Sequence, residues 1–226
     1  MNSDHSSDVL VLIPAYNAAQ YLPELIKRTR LAVCDENILF VNDGSVDETL
    51  DVLKSEDVKY INLPENQGKG SALMAGFAYA IEHKYRSVLT MDADLQHLPE
   101  EIYRFFAADN GQTIVIGTRK MALGVMPFPR WLTNNLTSLI ISVFSSRRVR
   151  DSQSGFRLMP VEFLKAIRLR TIGYDLESEM LFKAGAMGYQ VGEVPISTIY
   201  EGSHSYINPL ADTLRFVRQI WRRIWA

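Results

Sequence analysis

The stretch VLVLIPAYN, residues 9–17, decides the fold: an unbroken apolar run from Val9 to Ile13 closes on Pro14 and gives way to Tyr16 and Asn17. An apolar run without polar alternation suits a strand buried on both faces of a parallel sheet. Working outward, similar runs recur at 37–41, 58–62, 87–91 and 113–117, and between them lie helical patterns at 19–33, 47–54, 68–83 and 99–108. Strand and helix alternating at this spacing call for βαβ units with right-handed crossovers. The expectation is an α/β fold: a mostly parallel central sheet with helices on both faces. In such sheets ligands bind beyond the carboxyl ends of the strands, so chemistry is sought in the polar residues that follow each run.

Beyond Arg119 the pattern changes. Residues 121–130 read as an apolar loop with Met121, Val125, Met126 and Phe128, and a helix-like stretch follows over 131–146. Strands are expected at 155–159 and 190–199, with helices near 160–168 and 176–187. The end, 208–226, sets Leu210, Leu214, Val217, Ile220, Trp221, Ile224 and Trp225 at helical steps with arginines largely elsewhere, an amphipathic basic helix. With 226 residues and no repeat or low-complexity linker, the chain is expected to form a single domain, 1–226.

A formal net charge of -2 says little about partners, and no nucleic-acid partner is expected. Arginines crowd the second half, at Arg147, Arg148, Arg150, Arg157, Arg168, Arg170, Arg215, Arg218, Arg222 and Arg223, as solvated helix faces or as the seat of an anionic partner. The only cysteine, Cys34, excludes an intramolecular disulfide. Residues 1–8 lack the basic and apolar regions of a signal peptide. No stretch reaches the ~18 apolar residues of a membrane span. The expected location is cytoplasmic, with any membrane contact peripheral.

Four polar clusters follow strands: Pro14-Ala15-Tyr16-Asn17, Asn42-Asp43-Gly44-Ser45, Asp92-Ala93-Asp94-Leu95-Gln96-His97 and Gly117-Thr118-Arg119. Taken singly, Asp-Gly-Ser is ordinary turn chemistry. Asp92-Ala93-Asp94 is more telling, because in an extended segment residues i and i+2 point to one side. Two carboxylates so placed repel unless a cation lies between them, and oxygen donors suit Mg²⁺ or Mn²⁺ held together with a substrate diphosphate. Gln96 or His97 completes that shell or supports it. The plain structural reading is a solvated acidic turn.

Together these pieces resemble the GT-A-fold glycosyltransferases of family 2, and among them the dolichyl- and polyprenyl-phosphate mannosyl- and glucosyltransferases. The matching segments are IPAYN at 13–17, VNDGSVDET at 41–49, ENQGKGSA at 65–72, MDADLQHLPEEI at 91–102, GTR at 117–119, RDSQSGFRLM at 150–159, YDLESEM at 174–180 and VPIST at 194–198. DADLQH with DSQSGFR is the specific pair.

The resemblance implies a metal-dependent, inverting transfer of a hexose from a nucleotide sugar of the GDP-mannose or UDP-glucose type to a polyprenyl phosphate. It implies that Pro14, Ala15, Tyr16 and Asn17 wall the nucleoside, that Asp43 meets the base, and that Lys69 faces an anion or packs its turn. Asn42 stands where the family often has a second acid. Asp94 would be the principal metal ligand, with Asp92 and Ala93 against the sugar nucleotide and Gln96 near the metal and the acceptor phosphate. Arg119, Arg130, Asn134, Ser154 and Arg157 would serve the acceptor side, Asn134 replacing a small hydroxyl residue. Asp151 would orient donor hydroxyls or act as base, and Glu177 and Glu179 fall where the family has acids near the sugar.

A second departure lies after the VPI strand, where the family's closing cations are replaced by Tyr200-Glu201-Gly202-Ser203-His204-Ser205. Many members carry transmembrane helices after the catalytic domain, whereas this chain ends at Ala226; the apolar loop and final helix would lie on the cytoplasmic face of a membrane or pack on the domain. Two other readings stand beside the first. One keeps the enzyme class but takes a saccharide hydroxyl, with Asp151 as general base. The other is a nucleotide-sugar-binding module without turnover, from which loss of Asp92 or Asp94 would be expected. Oligomeric state is not legible.

Overall fold

In the computed structural model, residues 8–119, 150–169 and 176–197 are described. The opening run forms strand β1 (Val9–Ala15), buried along its whole length. It pairs in parallel with β2 (Ile38–Asp43) on one side and β4 (Ser87–Thr90) on the other. Strand β3 (Tyr60–Leu63) runs parallel to β2 at the sheet's edge, and its residues alternate between exposed and half-buried, as an edge position dictates. The sequence pattern sets this strand at 58–62; the shift follows from pairing with β2, which starts at Tyr60 opposite Phe40.

The remaining strands are β5 (Thr113–Arg119), β6 (Arg157–Pro160) and β7 (Gln190–Ile196), and the full order is β3-β2-β1-β4-β6-β5-β7. Strand β6 is antiparallel to both β4 and β5, while β7 is parallel to β5. The sheet is therefore mostly parallel, as expected, with one reversed strand that strand-helix alternation does not announce. Reversal has a direct consequence. The residues that lead into β6 arrive at the same edge where β1, β2, β4 and β5 deliver the residues that follow them, since Arg157 pairs with Thr90 and with Ile116.

Helices α1 (Leu22–Ala32), α2 (Thr49–Ser55) and α4 (Ile102–Ala108) cover one face; α3 (Lys69–Glu82), α5 (Val161–Ala166) and α6 (Leu176–Ala186) cover the other. The two-residue period of the strands divides the core accordingly. Leu10, Leu12, Leu39 and Val41 pack toward α3, while Val11, Ile13, Ile38 and Phe40 pack toward α1 and α2. Each fully buried side chain of this size contributes about 2 kcal/mol. Helix α1 starts at Leu22 instead of residue 19, with Pro23 in its first turn, where a fixed φ and a missing N–H cost nothing.

A short 3₁₀ turn, Pro99–Glu101, precedes α4. Glu100 accepts two hydrogen bonds from Arg28 of α1, at 2.7 and 2.6 Å. Buried Glu101 accepts the N–H of Ser197, at 2.9 and 3.1 Å from its two oxygens, and a bond from Arg104. The loop 91–98 is thereby tied at its far end to α1 and to the exit of β7. Among the described residues no helix is long and apolar enough to cross a membrane. The apolar loop 121–130, the expected helices at 131–146 and 208–226, and the segment 200–205 lie outside the described residues.

Candidate active site

At the exit of β1 the chain turns at Asn17, which has φ +50, and reaches across to the exit of β2. The Asn17 N–H donates to Ser45 Oγ (2.9 Å), the Val46 N–H donates to Asn17 Oδ1 (3.0 Å), and the Ala18 N–H donates to Thr49 Oγ1 (2.7 Å). Asn17 accepts a positive φ more readily than most residues because its short amide can bond locally. Pro14 and Ala15 are buried beneath this clasp, and Tyr16 is 46% exposed on its rim.

Asn42 is buried and spends its side chain on Asn62 (2.6 Å) and on Ser45. A carboxylate there would lack the amide donor that Asn62 receives. Asp43 is also buried; its two oxygens accept the N–H groups of Gln67 and Gly68, each at 2.9 Å. It fixes the turn that opens α3. These bonds to the ionised form strap the β2 exit to the start of α3.

Strand β4 ends at Thr90, and the chain turns at Ala93 and Asp94, with Leu95 at φ +58. The rule that i and i+2 share a side belongs to extended chain, so the two carboxylates acquire different partners. Asp92 is 2.6 Å from Lys69 Nζ, which also lies 2.8 Å from Glu177 of α6. Asp94 accepts from the Gln96 N–H (3.0 Å) and Gln96 Nε2 (2.7 Å). Among the described residues it has no lysine or arginine partner within ion-pair distance.

The electrostatics follow. Burial would raise the Asp92 carboxyl, but the Lys69 ammonium together with its other positive neighbours, Arg119 among them, more than offsets this and holds it below its usual range. Burial, and next the charge of Asp92, push Asp94 up to about 6. Lys69 loses affinity for its proton through burial and more than regains it from Asp92 and Glu177, so it stays charged. His97 is buried against Phe156 and pulled down to about 4 by loss of solvent, hence neutral. Among the described residues, no three or more His, Cys, Asp or Glu are grouped to cage a metal. Asp94, a carboxylate lacking its own cation among the described residues, has the donor chemistry to share a divalent ion with a diphosphate, while Gln96 here presents its amide nitrogen to it.

The loop entering β6 completes the edge. Asp151 is fully buried and forms a two-pronged ion pair with Arg119 at the end of β5, at 2.6 and 2.8 Å. Ser154 is buried and turns inward, its Oγ 3.4 Å from the Phe156 N–H. Gly155 passes so close to Asp92 that a Cβ would lie 2.5 Å from its Oδ2. Only glycine lets the two loops touch here. Arg157, expected on the acceptor side, is 1% exposed with its guanidinium spent on three backbone carbonyls, so in this structure it braces the loop instead of presenting a charge. Burial lowers it to about 10, which leaves it ionised at neutral pH.

Of the residues singled out from sequence, Tyr16, Asn17, Asp43, Lys69, Asp92, Ala93, Asp94, Gln96, Arg119 and Asp151 gather along one sheet edge. Arg130 and Asn134 lie outside the described residues. Sequence reasoning missed the Lys69 bridge between Asp92 and Glu177 and the hold of Glu101 on Ser197. Neither had a local signal, since each joins positions far apart in the chain.

Comparison with known proteins agrees with this geometry. Residues 10–168 match the family model described as "Glycosyl transferase family 2", a span that includes β1 to α5 and every strand-end cluster. The chain is 33% identical over 202 residues to an undecaprenyl-phosphate mannosyltransferase of Micrococcus luteus, covering 84% of this chain and 83% of the relative. It is 30% identical to a polyprenol monophosphomannose synthase of Mycolicibacterium smegmatis, over 83% of this chain and 76% of that one. A UDP-N-acetylglucosamine–dolichyl-phosphate N-acetylglucosaminyltransferase of Methanococcus voltae is also 30% identical, over 85% and 86%. Among solved structures, glucosyl-3-phosphoglycerate synthase from Mycobacterium tuberculosis, in complex with Mn²⁺, UDP and product, superposes with a TM-score of 0.77 at 15% identity, covering 97% of this chain and 82% of that one. That likeness is one of fold, and the fold is GT-A. With its strand-end residues gathered at one edge and matched in order by the family model, the chain belongs to glycosyltransferase family 2.

Proposed function

We propose that the protein transfers a hexose, with inversion, from a nucleotide sugar of the GDP-mannose or UDP-glucose type to a polyprenyl phosphate at the cytoplasmic face of a membrane. The observation that carries the acceptor is a pattern among the relatives. Those named for mannose and for N-acetylglucosamine differ in sugar and agree in taking an undecaprenyl, polyprenol or dolichyl phosphate.

Donor binding falls to the β1–β2 clasp and its neighbours. Tyr16 and Asn17, over Pro14 and Ala15, wall the nucleoside, and Asp43 with the turn it straps faces the base. Lys69, Asp92 and Ala93 lie toward the diphosphate and sugar. Mn²⁺ or Mg²⁺, held by Asp94 with Gln96 and Asp92 beside it, would supply Lewis-acid neutralisation of the charge that grows on the departing diphosphate. In the transfer an acceptor phosphate oxygen forms the new bond to the anomeric carbon. The old carbon–oxygen bond breaks on the opposite face, and the nucleoside diphosphate leaves with the electron pair. A phosphate monoester is ionised at neutral pH, so no base need deprotonate it. The site must instead place it, and Arg119 and Arg130 with Asn134 are the groups for that task.

The structure favours this over a saccharide hydroxyl acceptor on one point. A hydroxyl needs a general base, and Asp151, the candidate, is fully buried and paired by both oxygens to Arg119. Both of its oxygens are committed to that guanidinium. The reading as a binding module without turnover runs against the retention of both Asp92 and Asp94. The test is to incubate the protein with radiolabelled nucleotide sugars, undecaprenyl or dolichyl phosphate and Mn²⁺. Label in an acid-labile lipid fraction is expected; label found only in free sugar or soluble saccharide overturns the acceptor assignment.

A further inference from the structure

Among the described residues, Arg157 heads the fully buried side chains by size. Its Nε donates to the Ser154 carbonyl at 2.5 Å, Nη2 to the Ser152 carbonyl at 2.6 Å and Nη1 to the Glu177 carbonyl at 2.6 Å. All three acceptors are backbone oxygens. Two belong to the loop entering β6, and the third to the first turn of α6. Each of these segments carries a carboxylate of the site: Asp151, locked to Arg119, and Glu177, joined through Lys69 to Asp92.

A buried ionised guanidinium without a carboxylate in direct contact is a costly way to hold a fold together, and an apolar side chain of similar volume would do so more cheaply. What the guanidinium has that an apolar group lacks is a rigid planar fork whose donors diverge at fixed angles. The fork itself is fixed, because Arg157 begins β6, paired with Thr90 and Ile116 in the centre of the sheet. Thr90 adds a bond of its own to this loop, its Oγ1 donating to the Gly155 carbonyl at 2.7 Å.

We propose that Arg157 is a positioning residue for the transfer step: its fork sets the 151–154 loop against the first turn of α6, and so fixes the Asp151–Arg119 pair and the Glu177–Lys69–Asp92 chain at their working separation. This rests on reading the edge as a glycosyl-transfer site. Its action runs through residues that meet donor and acceptor, so it governs turnover more than donor affinity.

Arg157→Lys keeps the charge but cannot span three carbonyls from one ammonium. It is expected to melt cooperatively, to bind UDP or GDP with Mn²⁺ within about threefold of the parent by calorimetry, and to lose about 10- to 100-fold in kcat, the scale set by small misplacements of reacting groups. Combined with Asp151→Asn, its effect should largely vanish, because both changes act on the same loop. Combined with Asn17→Ala, which sits on the distant clasp, the losses should multiply. Should Arg157→Lys fail to fold, Thr90→Val loosens the same loop without disturbing a buried charge and is expected to show the same kcat-selective loss and the same coupling to Asp151. Independent, multiplying losses with Asp151→Asn, or a defect confined to nucleotide affinity, overturn the proposal. Donor hydrolysis is scored alongside, so an enzyme that uses a saccharide acceptor still reports the cycle. A parent protein with no turnover of any donor overturns the functional reading itself, and this inference with it.

Discussion

The two ends of the active edge are built from different materials. At the β1 and β2 exits, Asn17, Ser45, Val46 and Asp43 are joined through side chain to backbone hydrogen bonds between neighbouring parallel strands. Around the β4 exit and the β6 entrance the ties are ionic: Lys69 with Asp92 and Glu177, Arg119 with Asp151, and Arg157 on its carbonyls. On the proposed reading, the first region is a preformed wall for the nucleoside. Among the described residues, the second pairs Asp92, Glu177 and Asp151 with cations, leaves Arg157 on carbonyls alone and Asp94 without a lysine or arginine, and on the proposed reading it is poised for a partner that brings a cation. Binding should therefore be governed by the first region and turnover by the second.

The sharpest way to separate them is Asp94→Asn. Activity should fall by about 1,000-fold or more, since the one carboxylate suited to a shared cation is gone. The same change should stabilise the metal-free protein. A carboxyl raised to about 6 in the fold gives up stability as pH climbs from its ordinary value through 6. The variant should therefore melt several degrees higher than the parent at pH 8, with the gap closing below about pH 4. A variant that melts lower at pH 8 would show that Asp94 is not repelled by its surroundings.

Asp151→Asn comes next. It leaves the Arg119 guanidinium facing one accepting oxygen and one NH₂ donor where the carboxylate offered two oxygens, and a loss of about 100-fold in kcat is expected, with nucleotide affinity little changed. Gly155→Ala follows, because its methyl must displace the Asp92 carboxylate; about a tenfold loss of turnover is expected with a smaller change in melting temperature. Turnover at parental level would mean that the two loops separate freely.

Asn17→Ala should have the smallest effect and of the opposite kind. The clasp loses the bond from the Val46 N–H, worth about 1 kcal/mol, so donor KM should rise about fivefold while kcat stays within twofold. Because no charges are involved, that rise should be the same at low and high salt. A kcat defect equal to the KM defect would erase the distinction between the two regions.

These two regions were also unequally legible. The runs at 9–13, 37–41, 87–91 and 113–117 locate β1, β2, β4 and β5, because strands buried on both faces must be apolar at every position. DADLQH and DSQSGFR point to the loops that meet. What a linear reading misses is pairing at a distance. The insertion of β6 between β4 and β5 depends on which edges remain open in three dimensions, and nothing in RLMP states its direction. The same holds for Lys69, whose glycine-flanked setting suggests an anion site and whose partners, Asp92 and Glu177, are set by where α3 and α6 begin. The sequence motif assigns Arg157 to the acceptor side, because an arginine in a motif ordinarily faces a ligand. Its burial follows from its place at the start of a central strand.

The reversed direction of β6 has a bearing on how this scaffold can change. Strand β5 ends and β6 begins at the same rim of the sheet, so the chain departs and returns on one side. Entropy of closing such a connection grows slowly, by about 0.6 kcal/mol for each doubling of its length. Insertions and deletions there are cheap and leave β1 to β4 untouched. If the rim serves glycosyl transfer as proposed, a lineage can change its acceptor by editing a single rim connection while inheriting the donor side intact.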